Sequence, residues 1–155
     1  MILWFAGMSL LAVWVVFRDP AIDHRLVIAG ALLPDAIDGV TGGPWVMHSV
    51  LGSVALLVGV MLATVGRRLV RRRLLALPIG TFVHLVLDGA WTDKGAFWWP
   101  FTGWDFGGGS LPSIERGWFG LVLEAAGAAA LVWVHRRFQL GEPARRSAFL
   151  RTGRL

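Results

Sequence analysis

The sequence contains no cysteine and few charged residues. Without cysteine, a disulfide bond or a thiolate-bound metal is excluded. Only 16% of the 155 residues are charged, whereas 55% are hydrophobic, and the mean hydropathy is +0.62. This balance is more apolar than a single soluble core of this size requires. The composition therefore indicates an integral membrane protein.

Five apolar segments follow one another along the chain, at residues 2–17, 26–40, 45–65, 74–91 and 117–134. Several approach the roughly 20 apolar residues that a helix needs to cross a bilayer. The first segment lacks the basic start and the small-residue cleavage site of a signal peptide, so we interpret it as a retained helix. The sequence thus predicts an all-α, integral membrane helical bundle of four or five transmembrane helices over residues 1–135.

The number of spans depends on the segment at 26–40, which contains Pro34. Proline removes a backbone donor, and helix interiors tolerate it only where neighbours compensate. This favours a broken or shallow helix. If the segment crosses fully, the bundle has five spans and an external N-terminus; if it enters partway, there are four spans and the N-terminus is internal.

The net charge of +5 is concentrated in two stretches, at 66–73 and 135–155, each beside an apolar segment. The positive-inside rule places both on the cytoplasmic side of a membrane, where they can contact anionic lipids. Residues 136–155 are therefore predicted to form a basic cytoplasmic tail. Neither stretch has a nucleic-acid recognition fold, so we expect lipid and not nucleic-acid partners. Fourteen of the fifteen basic residues are arginine, which is typical of a GC-rich bacterial genome, and the predicted location is the bacterial inner membrane.

Tryptophans cluster at or beyond the predicted outer boundary: Trp45, Trp91, Trp98, Trp99, Trp104 and Trp118. Indole rings commonly lie among lipid headgroups at this depth. An aromatic belt explains them, although a substrate-binding role for the stretch at 98–104 remains open.

Five ionisable residues interrupt the apolar segments. Asp35 and Asp38 are three residues apart, His84 and Asp88 are four apart, and His48 lies one turn into its own segment. Each pair shares one helical face, and the predicted topology brings all five to the same outer depth. A charged group costs about 3 kcal/mol on insertion into hydrocarbon, which something must compensate.

Imidazole and carboxylate are ligands for a divalent ion such as zinc or manganese. A bound metal would neutralise buried carboxylates and lower the pKa of a coordinated water. The five residues therefore predict a metal site. Taken separately, His84 and Asp88 could be a hydrogen-bonded pair or part of a proton relay, the two aspartates a helix end at the water interface, and His48 an ordinary polar residue.

Three other ionisable residues are weaker candidates. Glu124, in the last apolar segment, could be a third carboxylate of the site or could bond to a neighbouring helix. His24 is interpreted as a boundary residue, and His135, beside two arginines, as a residue that binds no metal. The small residues at 124–130, EAAGAAA, favour close packing against another helix.

Three motifs carry a resemblance to a known family: ALLPDAID at 31–38, MHS at 47–49, and GTFVHLVLD at 80–88 with Trp-Pro at 99–100. They resemble the LexA-binding, inner-membrane-associated metal-dependent hydrolases over about 30–100. The resemblance implies a membrane-bound hydrolase, distantly similar to zinc-dependent phospholipase C. It also implies metal ligation by its His and Asp residues. Nothing in the chain supports transferring LexA binding.

The resemblance assigns residues one at a time. Asp35 matches the family's LPD aspartate, His48 the histidine of THS, and His84 with Asp88 the HxxxD pair. Asp38 departs from the pattern, because members commonly have PDxD where this chain has PDxxD. Gly43–Pro44 occupy the place of a His-Arg pair, and no histidine precedes His24.

With two family histidines absent, the site could hold one metal, or catalysis could be lost. The leading hypothesis is a membrane-bound hydrolase of an ester or phosphoester, for instance a lipid-linked one, with the site near the outer membrane face. Metal would be bound by Asp35, His48, His84 and Asp88, and Asp38 would act as ligand or general base. The alternative is a non-catalytic membrane protein in which these residues form a structural metal site or a proton or ion pathway.

Overall fold

A computed structural model describes residues 1–41, 46–104 and 117–155 of the chain. It is all-helical, with 78% helix, and the described residues contain no strand. The predicted helical class is therefore confirmed. The helices, in chain order, are α1 (Ile2–Phe17), α2 (His24–Thr41), α3 (Val50–Ala63), α4 (Arg68–Leu74), α5 (Ala76–Asp88), α6 (Lys94–Phe97), α7 (Gly117–Arg137) and α8 (Pro143–Thr152), with 3-10 turns at Val46–His48 and Ala90–Thr92.

The prediction of four or five transmembrane helices is wrong. Among the described residues, only α7 is long and apolar enough to cross a membrane, and 22% of its most apolar stretch is buried. The apolar segments break into shorter helices: α1 has 16 residues, α3 has 14 and α5 has 13. At 1.5 Å per residue, α5 measures about 20 Å, well short of a hydrocarbon core of about 30 Å. The 18 residues of α2 include two aspartates and an arginine.

The centre of the fold is the crossing of α2 and α5, and two glycines make it possible. A Cβ atom at Gly30 would overlap the carbonyl oxygen of Leu77, and one at Gly80 would overlap that of Val27. Since neither glycine has a side chain, the two backbones come into direct contact. Val27 is fully buried there, next to Val13 of α1.

Contrary to the expectation of a broken helix, α2 continues through Pro34. Proline has no N–H to donate to the carbonyl oxygen four residues earlier, which is that of Gly30. The hydroxyl of Thr81, on α5, lies 3.1 Å from this oxygen and 3.2 Å from the carbonyl oxygen of Leu77, and it shares its one hydrogen between them. A neighbouring helix thus replaces the missing hydrogen bond, which is the compensation that an internal proline requires.

α7 packs along α1, as the small residues at 124–130 predict. A Cβ atom at Gly7 would overlap the carbonyl oxygen of Gly127, so the two helices meet backbone to backbone. Further along, the rings of Trp14 and Trp133 lie 5.3 Å apart, edge to face. The residues of α7 that are buried among the described parts of the chain, Gly127, Ala130 and Val134, lie along this contact.

Basic residues gather at one end of the bundle, around the buried carboxylate of Asp23. Its Oδ2 atom lies 2.8 Å from Arg25 Nη2 and 2.7 Å from Arg73 Nε. Burial raises the pKa of Asp23, but the hydrogen bonds from the two arginines outweigh burial and lower it to about 2. These contacts join the start of α2 to α4, the helix that contains Arg73.

The predicted basic tail, 136–155, contains α8, and α8 packs against the same end of the bundle. The backbone N–H of His24 donates to the carbonyl oxygen of Gly153 at 2.8 Å, and Arg25 Nη1 donates to that of Leu150. Gly153 ends α8 with φ of 71°, and a Cβ there would overlap the carboxylate of Asp23. The end of the tail is therefore bound to the start of α2.

Candidate metal centre

His84 lies on the face of α5 that meets α2, one turn after Gly80. Its Nδ1 atom is 2.7 Å from the carbonyl oxygen of Ala31. Because a carbonyl oxygen only accepts, Nδ1 carries the proton and Nε2 keeps its lone pair. The ring of Phe5 lies against the imidazole, with the ring centroids 4.0 Å apart. His84 is fully buried, and Nε2 is the ring nitrogen that faces the other candidate ligands.

His48 is placed by the 3-10 turn before α3. The hydroxyl of Ser49 caps α3 by accepting the N–H of Gly52 at 3.0 Å, and it lies 2.7 Å from the carbonyl oxygen of Val46. Gly52 permits this tight turn, because a Cβ there would overlap the same carbonyl oxygen. His48 Nδ1 lies 2.6 Å from Asp38 Oδ2, so its Nε2 is again the atom left to bind a metal.

The two Nε2 atoms face each other at 3.2 Å. The Oδ1 atom of Asp35 lies 3.6 Å from His84 Nε2 and 3.9 Å from His48 Nε2. Ligand atoms of these three residues all lie within 4.8 Å of one another. Two nitrogens at about 2.0–2.1 Å from a tetrahedral zinc would be roughly 3.3 Å apart. The donor set and its spacing therefore fit a divalent metal ion.

The other two predicted site residues approach His48 from different sides. Asp88, the last residue of α5, has its Oδ2 atom 3.9 Å from His48 Nε2, on the metal-binding side. Gly89 ends the helix directly after it in the left-handed conformation, with φ of 67°. Asp38 is fully buried and contacts the other nitrogen, Nδ1. The structure thus brings all five predicted residues together, with Asp38 behind the ring of His48.

Burial and the neighbouring carboxylates set the electrostatics of the site. Burial raises the pKa of Asp35, because the neutral acid needs less hydration than the carboxylate. Burial lowers the pKa of His48, but the adjacent carboxylates, Asp38 first among them, outweigh burial, and the pKa is raised overall. With both Nδ1 atoms facing oxygens, the close Nε2 atoms need a cation or a proton between them.

The weaker candidates are not among these residues, although Glu124 lies near them: the N-terminal ammonium group is 3.8 Å from Glu124 Oε1 and 4.0 Å from Asp35 Oδ2. Glu124 accepts the backbone N–H of Leu3 at 2.8 Å, which is the second of its two expected roles, a bond to a neighbouring helix. His24 is buried at the basic end of the bundle, where Nδ1 donates to Gly153, and His135 is exposed at the end of α7. Trp45 and the pair Gly43–Pro44 lie outside the described residues.

Sequence reasoning missed the groups that orient the histidines. The carbonyl oxygen of Ala31, the ring of Phe5 and the cap at Ser49 are an ordinary backbone atom, an apolar side chain and a hydroxyl. Gly80, four residues before His84, was the available signal, since a glycine inside an apolar helix marks a close approach of another backbone.

Comparisons with protein-family models, with curated proteins and with solved structures found no match, so the family resemblance stays a prediction.

Proposed function

We propose that the protein is a membrane-associated, metal-dependent hydrolase that cleaves an ester or a phosphoester. The observation that carries the proposal is the pair of facing Nε2 atoms, 3.2 Å apart, beside the carboxylate of Asp35. Three protein ligands that leave one coordination position open are typical of catalytic zinc sites, whereas structural sites are closed by four.

In this proposal Asp35, His48 and His84 hold the metal, which we take to be zinc or manganese. When bound, it supplies Lewis acidity and lowers the pKa of a coordinated water. Asp38 orients His48 and stabilises its Nδ1 proton, in place of the ligand or base role expected from the sequence. Asp88, on the open side, is placed to accept a proton from water, with its Oδ2 atom 3.9 Å from His48 Nε2.

We further propose that α7 anchors the protein in the bacterial cytoplasmic membrane. Its apolar side chains are largely exposed, including Phe119, Leu121 and Val132. Arg136 and Arg137 follow at its end, so the positive-inside rule orients that end and the C-terminus toward the cytoplasm. The first half of α7 contacts α1 near the site, which would then lie toward the outer face, where lipid headgroups are accessible.

The proposal is tested by metal analysis of purified protein with inductively coupled plasma mass spectrometry. We expect about one equivalent of zinc or manganese in the wild type, little in His84→Ala, and an unchanged amount in His135→Ala. The last variant is the matched control, because His135 is exposed and far along α7 from the site. Equal metal content in all three proteins would contradict the proposed ligands.

Hydrolysis is then measured on short-chain aryl esters and aryl phosphoesters, before and after chelation. We expect metal-dependent turnover of one class, lost in His84→Ala and retained in His135→Ala. Turnover that survives chelation and the His84 substitution would contradict a metal-dependent hydrolase.

A structural metal site is the second candidate, and the position of Asp88 favours it. This carboxylate is 4% exposed, and its approach to His48 could complete a closed set of four ligands. The two candidates differ in solvent access. A cobalt-substituted protein with four protein ligands, no exchangeable water and no hydrolysis would support the structural role.

A further inference from the structure

Two consecutive carbonyl groups of α2, those of Gly30 and Ala31, accept hydrogen bonds from side chains of α5. The Thr81 hydroxyl lies 3.1 Å from the oxygen of Gly30, and His84 Nδ1 lies 2.7 Å from the oxygen of Ala31. The two donors are three residues apart on α5, so they share one helical face. Two neighbouring carbonyls of one helix are thus bonded by two neighbouring side chains of the other.

The sequence of α2 explains why this turn is open to α5. In a regular α-helix the oxygen of residue i accepts the N–H of residue i+4, so the partner of Gly30 would be residue 34. Pro34 has no N–H, and a proline ring also crowds the carbonyl four residues earlier and bends the helix there. Since Ala31 is three residues before Pro34, its carbonyl belongs to the same disturbed turn.

Pro34 occupies this position against its own preference. Proline is the least favourable residue in a helix interior, yet Pro34 lies inside α2, where it is fully buried and directly precedes Asp35. A conflict between local preference and the adopted structure is typical of functional positions. The conflict here lies in the turn that contacts His84.

We propose that Pro34 is a positioning residue of the metal centre. Because it supplies no N–H to α2, the carbonyls of Gly30 and Ala31 are bonded from α5, the first by Thr81 and the second by His84 Nδ1. The second bond fixes the Nδ1-protonated tautomer of the imidazole and directs Nε2 toward the metal position. This inference rests on the metal site of the proposed function and adds a residue that acts on that site through the backbone of α2.

Restoring an N–H at this position separates helix stability from metal binding. Pro34→Ala supplies the missing donor, and Pro34→Val supplies it with a side chain closer in volume to proline. Because α2 regains a hydrogen bond, we expect both variants to melt at or above the temperature of the wild type. Zinc affinity, measured by competition with a chromophoric chelator, should nevertheless fall at least about tenfold in both, as for other groups that orient a ligating histidine.

Two results of this experiment would overturn the proposal. A loss of affinity in Pro34→Ala alone would trace to the cavity left by the smaller side chain. A loss accompanied by a lower melting temperature in both variants would show that Pro34 only supports the fold.

Pro78 provides the matched control, because it is a buried proline on the partner helix. It is the third residue of α5, and the first four N–H groups of a helix have no partner within that helix. Pro78→Ala therefore restores no hydrogen bond inside α5, and we expect zinc affinity to stay at the wild-type value. An affinity loss equal to that of Pro34→Ala would refute a specific role for Pro34.

The link through Thr81 is tested with a double-mutant cycle. Thr81→Val removes the donor to the Gly30 carbonyl, whereas in the Pro34→Ala background that carbonyl has a donor within α2. We expect Thr81→Val to lower the urea midpoint clearly in the wild-type background and only slightly in the Pro34→Ala background. An equal decrease in both backgrounds would contradict the link.

The tautomer of His84 is read directly from ¹H–¹⁵N correlation spectra of the imidazole, assigned with His84→Gln and recorded on metal-free protein. The wild type should show the Nδ1-protonated form, and both Pro34 variants should shift toward the Nε2-protonated form, whose Nε2 has no lone pair for a metal. An unchanged tautomer in both variants would overturn the inference and leave the hydrolase proposal standing. A wild type that binds no zinc would contradict the proposed function, and the tautomer comparison would still decide the role of Pro34.

Discussion

Replacement of Asp38 by asparagine tests how the metal centre is organised. The carboxylate is fully buried, and its Oδ2 atom lies 2.6 Å from His48 Nδ1. Asparagine keeps the size and one acceptor oxygen but removes the charge. If Asp38 orients His48 from behind, the metal itself keeps all its ligands, and only the basicity and orientation of one imidazole change.

The expected magnitude follows from that position. Loss of an outer carboxylate partner of a ligating histidine typically lowers metal affinity about 10- to 100-fold, which is roughly 1.4–2.7 kcal/mol. Asp35→Asn, on the same helix, is the matched comparison, because Asp35 lies 3.6 Å from His84 Nε2 and would be a ligand. We expect a markedly larger loss of affinity in that variant.

The assay is competitive titration of zinc against a chromophoric chelator, with cobalt absorption spectra of each variant. Asp38→Asn should retain the cobalt spectrum of the wild type with weaker binding, while Asp35→Asn should change the spectrum. Circular dichroism verifies that both variants remain helical. If Asp38→Asn changes the spectrum as Asp35→Asn does, Asp38 is a ligand, and the assignment of an orienting role is wrong.

Three further predictions concern the stability of the fold. Thr81→Val leaves the Gly30 carbonyl without its donor and should lower the free energy of unfolding by about 1–3 kcal/mol, while Thr81→Ser, which keeps the hydroxyl, should lose less in urea titrations. Gly80→Ala forces a Cβ against the Val27 carbonyl oxygen and should lower the free energy of unfolding by about 1–3 kcal/mol. We expect a lower melting temperature and weaker zinc binding in this variant. The pKa of Asp23 is lowered to about 2, so its contribution to stability is present above about pH 4 and is lost as pH falls through 2. The melting temperature of Asp23→Asn should therefore fall less between about pH 4 and pH 2 than that of the wild type.

Much of the candidate site could be predicted because helical spacing constrains it. Residues three or four apart share a face, so Asp35 with Asp38 and His84 with Asp88 had to lie together wherever their helices packed. The cost of isolating such groups in an apolar run indicated that the two faces meet. The structure brings them together with His48.

The individual roles could not be predicted in this way. Spacing places Asp35 and Asp38 on one helical face. It does not show that Asp35 approaches Nε2 of His48 and that Asp38 approaches Nδ1 of the same imidazole. That distinction depends on the 3-10 turn and on the cap at Ser49, which are set by hydrogen bonds between the Ser49 hydroxyl and the backbone of Val46 and Gly52. A one-dimensional pattern of side chains does not record them.

The number of membrane-crossing helices was mispredicted because hydropathy registers apolar composition and not helix length. The segment at 74–91 includes residues beyond Asp88, where Gly89 ends α5 in the left-handed conformation. The segment at 45–65 includes the 3-10 turn and the cap before α3. The helix end at Gly89, beside Asp88, and the cap at Ser49, beside His48, therefore shorten the helices next to the site.

The α2–α5 crossing shows how the fold and the site depend on one contact. Val27 meets Gly80, and one turn further along both helices Ala31 meets His84. The first contact is backbone against backbone, and it is close because glycine has no side chain. The second is the hydrogen bond that places the proton on Nδ1 of His84 and leaves Nε2 to face the metal position. Since both helices advance by one turn between the two contacts, the separation fixed at Gly80 also fixes the distance from the imidazole to its acceptor, and the tautomer of the candidate ligand is a consequence of helix packing.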